Sequence, residues 1–132
     1  MLKIHVVAAV ILAKNKQVLI ARRSKNKPQG GFWEFPGGKI EKDETAIEAL
    51  SRELKEELAI SVLEMKSFIK LEHEYPEGSI ILDVWMVEKF TGNARGNEGQ
   101  TIAWVSVDQL NQYEFLEANR LVVDKLQTLL PY

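Results

Sequence analysis

The chain has 132 residues, 45% of them hydrophobic and 27% charged, and a formal net charge of −2. That length and composition suit one soluble domain with a real core, and the charge balance excludes a global positive field for gripping nucleic acid. The absence of cysteine excludes disulfides, thiol catalysis and Cys-based zinc sites.

The apolar run Val6–Ala13 is too short to span a bilayer and has no cleavage site after it. The expectation is a single domain over residues 1–132, cytoplasmic and monomeric, with neither a membrane nor a stable nucleic-acid partner. IHVVAAVIL reads as a buried central strand, with helix as the alternative that periodicity leaves open. Lys14-Asn15-Lys16 offers a turn, and QVLIARR a second strand in a hairpin with the first. A polar loop, SKNKPQGG, leads to a short extended FWEF, stopped by Pro36 and Gly37-Gly38.

The clearest helix runs from Asp43 to Leu58, capped by Thr45 or Asp43, with Ile47, Leu50, Leu54 and Leu58 as its apolar stripe. SVLEMKSFIKLEHEY and SIILDVWMVEKF read as long strands joined at the turn signal PEGS. TIAWVSV is a further strand after the loop GNARGNEGQ, and VDQLNQ a short helical turn. ANRLVVDKLQTLL is a final helix with apolar Leu121, Val122, Leu126, Leu129 and Leu130, and Asn119 as a cap. Strands surrounding two helices predict an α/β fold, a mixed sheet between helices in an α/β/α sandwich.

Glu53, Glu56 and Glu57 lie at i, i+3 and i+4 on the first helix. Like charges at that spacing destabilise a helix by about 0.2–0.5 kcal/mol per pair. A divalent cation turns the repulsion into shared attraction, and Mg²⁺ is held by a few carboxylates together with substrate phosphates. A solvated Glu-rich face is the bland alternative, but it leaves Gly37-Gly38, Glu44 and Arg52 at their spacing unexplained.

From Gly38 to Ile60, GKIEKDETAIEALSRELKEELAI resembles the signature box of the Nudix hydrolases, matching at Gly38, Glu44, Arg52, Glu53, Leu54, Glu56, Glu57 and Ile60. It departs at Ala59, where the family has a glycine suited to a left-handed helix end; alanine there costs roughly 1 kcal/mol. Outside the box, ARRS, WEFPGGKIE, LEHEYPEGSI, GNEGQ and EANRLVV are similar to the MutT-type branch, which hydrolyses oxidised guanine nucleotides.

The resemblance implies a Mg²⁺-dependent (or Mn²⁺-dependent) nucleoside triphosphate pyrophosphohydrolase acting on 8-oxo-dGTP. The alternatives are a CTP or modified-pyrimidine pyrophosphohydrolase, or a non-catalytic nucleotide-binding regulator. It implies metal binding by Glu53, Glu56, Glu57, Glu98 and the Gly37 carbonyl. Arg52 would orient the carboxylates, alongside a plain i,i+4 salt bridge to Glu56. Glu44 would be an orienting residue or a first-turn acid facing the helix dipole. Either Glu53 or Glu98 would serve as general base.

Arg23 is a candidate phosphate contact, because guanidinium binds phosphate through paired donors, and by strand alternation Arg22 faces away. Glu34, Phe35, Pro36 and Gly37 of WEFPGGKIE join the substrate-binding set, with Phe35 and Tyr75 against the purine face and Ile4, Val6 and Ile80 as pocket wall. Some relatives carry a histidine in the loop before WEF, where this chain has Pro28. The side-chain amide of Asn119 offers one donor and one acceptor, matching 8-oxoguanine, whose N7 carries a proton beside the O6 acceptor; an ordinary helix cap is the alternative. His5 and His73, the only histidines, receive no role.

Overall fold

The structure is a computed structural model describing residues 3–27 and 29–130; Pro28 lies outside the described residues. Strand β1 (Lys3–Ile11) pairs in parallel with β6 (Gly78–Thr91) and antiparallel with β4 (Gly37–Lys39), while β5 (Ser61–Tyr75) flanks β6. A second sheet has the order β3 (Trp33–Glu34), β2 (Gln17–Arg22), β7 (Ile102–Ser106). Helices α1 (Ala46–Leu58) and α2 (Glu117–Leu129) and a short 3-10 turn (Val107–Gln112) complete the chain. The α/β class is as expected, with the strands divided between two sheets. Among the described residues, no helix is long and apolar enough to cross a membrane.

The unbroken apolar run of β1 has a direct cause. Val7, Ala9 and Ile11 pack in one core cluster with Leu50, Leu54 and Leu58 of α1, whereas Ala8 and Val10 pack in the other with Val122 and Leu126 of α2. Alternate side chains leave opposite faces, so a strand covered on both sides shows no polar positions. Leu50, Leu54 and Leu58 have no solvent exposure, and truncating any one to alanine would cost about 2–5 kcal/mol.

The structure departs from several sequence expectations. The β1–β2 turn exists, with Ala13 N–H bonding Gln17 O at 2.9 Å. The hairpin nevertheless shrinks to one Leu12–Val18 bridge, because β1 and β2 find their partners in different sheets. Gly37-Gly38 does not merely stop the chain but forms β4. Thr45, not Asp43, caps α1, in a reciprocal box with Glu48: the Thr45 hydroxyl accepts from Glu48 N–H at 3.1 Å, and Glu48 accepts from Thr45 N–H at 2.9 Å. Ile47 is 49% exposed, and Ala49 takes its place against the core. In α2, Leu121 and Leu129 face outward, 46% and 55% exposed.

Candidate active site

A cleft of about 570 Å³ lies over one face of the β4–β1–β6 sheet, within the usual range for small-molecule sites. Ile4, Val6, Ile80 and Leu82 wall one end, with Tyr75 and Asn119. Glu34, Gly37, Gly38, Glu53, Glu57, Glu98 and Arg23 line the other.

The acidic end is assembled by α1. Glu57 is held largely out of water, and its Oε2 is buried without a hydrogen-bond partner among the described residues. Burial first, then the charges of Glu53, Glu34 and Glu98, pushes its carboxyl up to about 8, the Gly37 backbone amide opposing. Burial also raises Glu53, against the pull of Arg52. Glu53 is 17% exposed because Gly38 lets it approach: a Cβ at Gly38 would overlap the Glu53 carboxylate.

Arg52 organises these acids from beside the cleft. It grips Glu44 with two bonds, Nε–Oε2 at 2.7 Å and Nη2–Oε1 at 3.0 Å, and Glu53 Oε1 at 2.9 Å. Glu56 and Glu41 stand farther off, at 3.4 and 3.3 Å. The Arg52 hydrogen bonds, with the Glu41 N–H, hold the Glu44 carboxyl down at about 2. Glu44 precedes the N-cap, so it is the anchor of Arg52 and not a first-turn acid. Glu41 joins this group with no signal in its sequence spacing to mark it.

Glu56 is exposed and outside the cleft lining, turned toward Arg52. Among the described residues, no three acids or imidazoles converge closely enough to enclose a metal by themselves. The donor chemistry still fits Mg²⁺, an oxygen-seeking ion that keeps several sites for phosphate and water. An unpartnered buried carboxylate oxygen of a group that feels three further carboxylates, Glu53, Glu34 and Glu98, is costly without a cation.

Glu98 comes from the loop between β6 and β7, which is tied to the end of α1. Arg95 N–H bonds Leu58 O at 3.1 Å, Asn97 N–H bonds Glu57 O at 2.9 Å, and the Asn97 amide bonds Glu56 O at 2.9 Å. The same helix end is closed by Ala59 in the left-handed region (φ 60°, ψ 34°), with bonds from Ala59 N–H to Lys55 O and from Ile60 N–H to Leu54 O.

At the apolar end, Trp33 N–H bonds Glu114 O at 2.7 Å and Leu116 N–H bonds Trp33 O at 3.0 Å, drawing the start of α2 beside β3. Asn119 therefore reaches Phe35, whose N–H donates to Asn119 Oδ1 at 2.9 Å. Asn119 is no N-cap: it sits in the first turn of α2, 7% exposed. Its Nδ2 has no partner among the described residues.

The Phe35 ring is buried and stacked on Phe115 at 5.4 Å, so it belongs to the core as much as to the cleft. The Tyr75 hydroxyl accepts the Ala118 N–H at 3.0 Å, a bond sequence spacing could not disclose. His73, left without a role, bonds Glu117 at 3.1 Å. Arg23 pairs with Glu34 at 3.4 Å, and Arg22 turns to Gly31 O at 3.1 Å. Pro36 is buried outside the lining, its carbonyl accepting from Ala9 N–H at 2.8 Å.

Comparison with known proteins agrees with this architecture. The family model for the NUDIX domain matches residues 2–126. An Escherichia coli K12 protein named 8-oxo-dGTP diphosphatase is 40% identical over 98% of this chain and 100% of its own length. A CTP pyrophosphohydrolase from the same organism is 35% identical over 97% of this chain and 95% of its own. Among solved structures, one from work on MutT of Aliivibrio salmonicida and Vibrio cholerae superposes with a TM-score of 0.86 at 37% identity, covering 98% of this chain and 100% of that one.

Proposed function

Because the chain belongs to the NUDIX domain family, we propose that the cleft hydrolyses a nucleoside triphosphate to the monophosphate and pyrophosphate, with 8-oxo-dGTP as preferred substrate. The observation that carries this is the pairing, in one cleft, of the buried unpartnered Glu57 oxygen with the Asn119 amide at the apolar end. Relatives bearing the name 8-oxo-dGTP diphosphatase support the substrate.

Mg²⁺ bound by Glu53, Glu57, Glu98 and the Gly37 carbonyl would supply charge neutralisation on the phosphates and a more acidic attacking water. The chain's own residues do the rest. Arg52 keeps Glu53 turned inward, and Arg23, which lines the same cleft, would contact the phosphates. Water adds to the β-phosphorus, its proton passing to Glu53 or Glu98, and the bond from that phosphorus to the α–β bridging oxygen breaks. The bridging oxygen leaves with the α-phosphate as nucleoside monophosphate. Preventing the use of oxidised precursors in DNA synthesis, in the cytoplasm, is the biological role consistent with this reaction.

Base selection follows from the Phe35 contact. That N–H must meet an acceptor, so it fixes Asn119 with Oδ1 toward Phe35 and Nδ2 toward the ligand. Nδ2 then donates to O6, and the second lone pair of Oδ1 accepts the N7–H that only the oxidised base has. Guanine sets its N7 lone pair against Oδ1, and adenine mismatches at both atoms because the amide cannot flip. A site built on such bonds rejects the wrong partner by up to about 10⁴–10⁵. A panel of 8-oxo-dGTP, dGTP, dATP and CTP compared by kcat/KM tests this, with rates falling from 8-oxo-dGTP through dGTP to dATP. Equal values for 8-oxo-dGTP and dGTP refute it, and a maximum at CTP assigns the pyrimidine reading instead.

A further inference from the structure

We propose that Gln100 is the positioning residue that seats Glu98 against the metal-facing end of α1, an inference that rests on Glu98 serving the metal. Both ends of its side-chain amide are used. Nε2 donates to Glu57 O at 3.0 Å, and Oε1 accepts the Glu98 N–H at 3.0 Å. One amide thus connects the backbone of one proposed metal ligand to that of another, 41 residues on in sequence.

The need for such a clamp is electrostatic. Glu98 is exposed, its carboxylate has no ion pair among the described residues, and its neighbours Glu53 and Glu57 are themselves acids that repel it whenever they are ionised. Repulsion and backbone entropy, about 1–2 kcal/mol per ordered residue, both favour swinging the loop outward. The last turn of a helix supplies an opposing attraction, since its carbonyls lack helical partners. Glu57 O takes two donors from this loop, Asn97 N–H and Gln100 Nε2.

Asn97 fastens the loop to α1 but makes no bond to the Glu98 backbone. Gln100 alone, among the described residues, does both. The loop is shaped for it: Gly99 N–H bonds Gly96 O at 2.9 Å, and a Cβ on Gly96 would overlap the Gln100 carbonyl. The segment Gly96-Asn97-Glu98-Gly99-Gln100 is therefore a closed turn whose final side chain folds back over its own acid.

A double-mutant cycle on the full-length enzyme tests the proposal. Gln100→Met, near in size and without hydrogen bonding, Glu98→Ala, and the double variant are compared by calorimetric titration of Mn²⁺ into substrate-free protein. The exchange rate of the Glu98 amide proton is measured without metal. Gln100→Met is expected to weaken Mn²⁺ binding about tenfold and to speed Glu98 amide exchange by a similar factor, with other core amides unchanged. It should add nothing in the Glu98→Ala background.

Wild-type Mn²⁺ affinity in Gln100→Met, together with weakened affinity in Glu98→Ala, overturns the clamp and leaves Glu98 as a ligand. Additive effects in the double variant also overturn it. Unchanged affinity in Glu98→Ala overturns both the clamp and the reading of Glu98 beneath it. If Gln100→Met does not fold, Gln100→Asn, one methylene too short to span both partners, gives the same comparison.

Discussion

Replacing Glu57 by glutamine separates the electrostatic cost of the acidic end from its use. In the metal-free protein the Glu57 carboxyl is pushed from an ordinary 4.5 up to about 8, by burial and by Glu53, Glu34 and Glu98. Between those values the folded state binds a proton that the unfolded state has lost. Stability is therefore fully present below about pH 4.5 and falls as pH rises through about 8. At 1.36 kcal/mol per pH unit, the interval from 4.5 to about 8 sets an upper bound of about 5 kcal/mol, reduced because Glu53 and Glu98 share the proton.

Glu57→Gln removes the titration and offers an amide donor to the surrounding carboxylates. With chelator present at pH 8.5, the variant should exceed the wild type by about 2–4 kcal/mol, near 4 °C in Tm per kcal/mol for a domain of this size. At pH 5 the two should nearly coincide. Added Mg²⁺ should raise the wild-type midpoint, as ligands of the folded state do, and leave the variant's almost unmoved. The assay is urea unfolding from pH 5 to 9 with EDTA or Mg²⁺. Parallel pH–stability curves for the two proteins would refute the argument. Glu44, held at about 2, gains its stability below that window as pH rises through its own range and does not confuse the comparison.

Other consequences are equally direct. Ala59→Gly relieves a left-handed alanine at φ 60° and should stabilise the fold by about 0.5–1 kcal/mol without changing kcat, which thermal unfolding and a pyrophosphate-release assay would check. Gly38→Ala puts a methyl group where the Glu53 carboxylate sits; a misplacement near 1 Å costs about 10²-fold, so kcat/KM should fall by that order while Tm changes little. Asn119→Ala strands the buried Phe35 N–H and should cost about 1–3 kcal/mol as well as the preference for 8-oxo-dGTP over dGTP. Asn119→Asp, which keeps the acceptor for Phe35 and for the N7–H but loses the donor to O6, should recover most of the stability and lower kcat/KM for both nucleotides while keeping the preference; a preference retained in Asn119→Ala would exclude Asn119 as the reader.

Much of the site was legible where its chemistry is local. Glu53, Glu56 and Glu57 share a helix, so their spacing alone places them on one face, and Gly38, Glu44 and Arg52 stand at short, informative distances from them. Sequence spacing nevertheless treats the three glutamates alike. Packing separates them: Glu57 is buried without a partner, Glu53 is held by Arg52 and admitted by Gly38, and Glu56 is left at the surface. Burial depends on what covers the helix, which the helix's own periodicity does not contain.

Strand and helix identities were readable for the same reason, since the apolar runs of β1 and β6 and the alternation of β5 from Ile69 to Tyr75 record their own environment. Partnership was not. The turn at Lys14–Lys16 implied a hairpin, yet β1 runs parallel to β6, some 75 residues away, and β2 joins another sheet. Hydrogen bonds between distant segments leave no periodic mark, because either partner would be equally satisfied by other backbone. The Phe35–Asn119 bond, 84 residues apart, is the sharpest case. Asn119 could be named from its amide chemistry, but the direction in which that amide points, and with it the base it accepts, exists only once the chain has closed around Phe35.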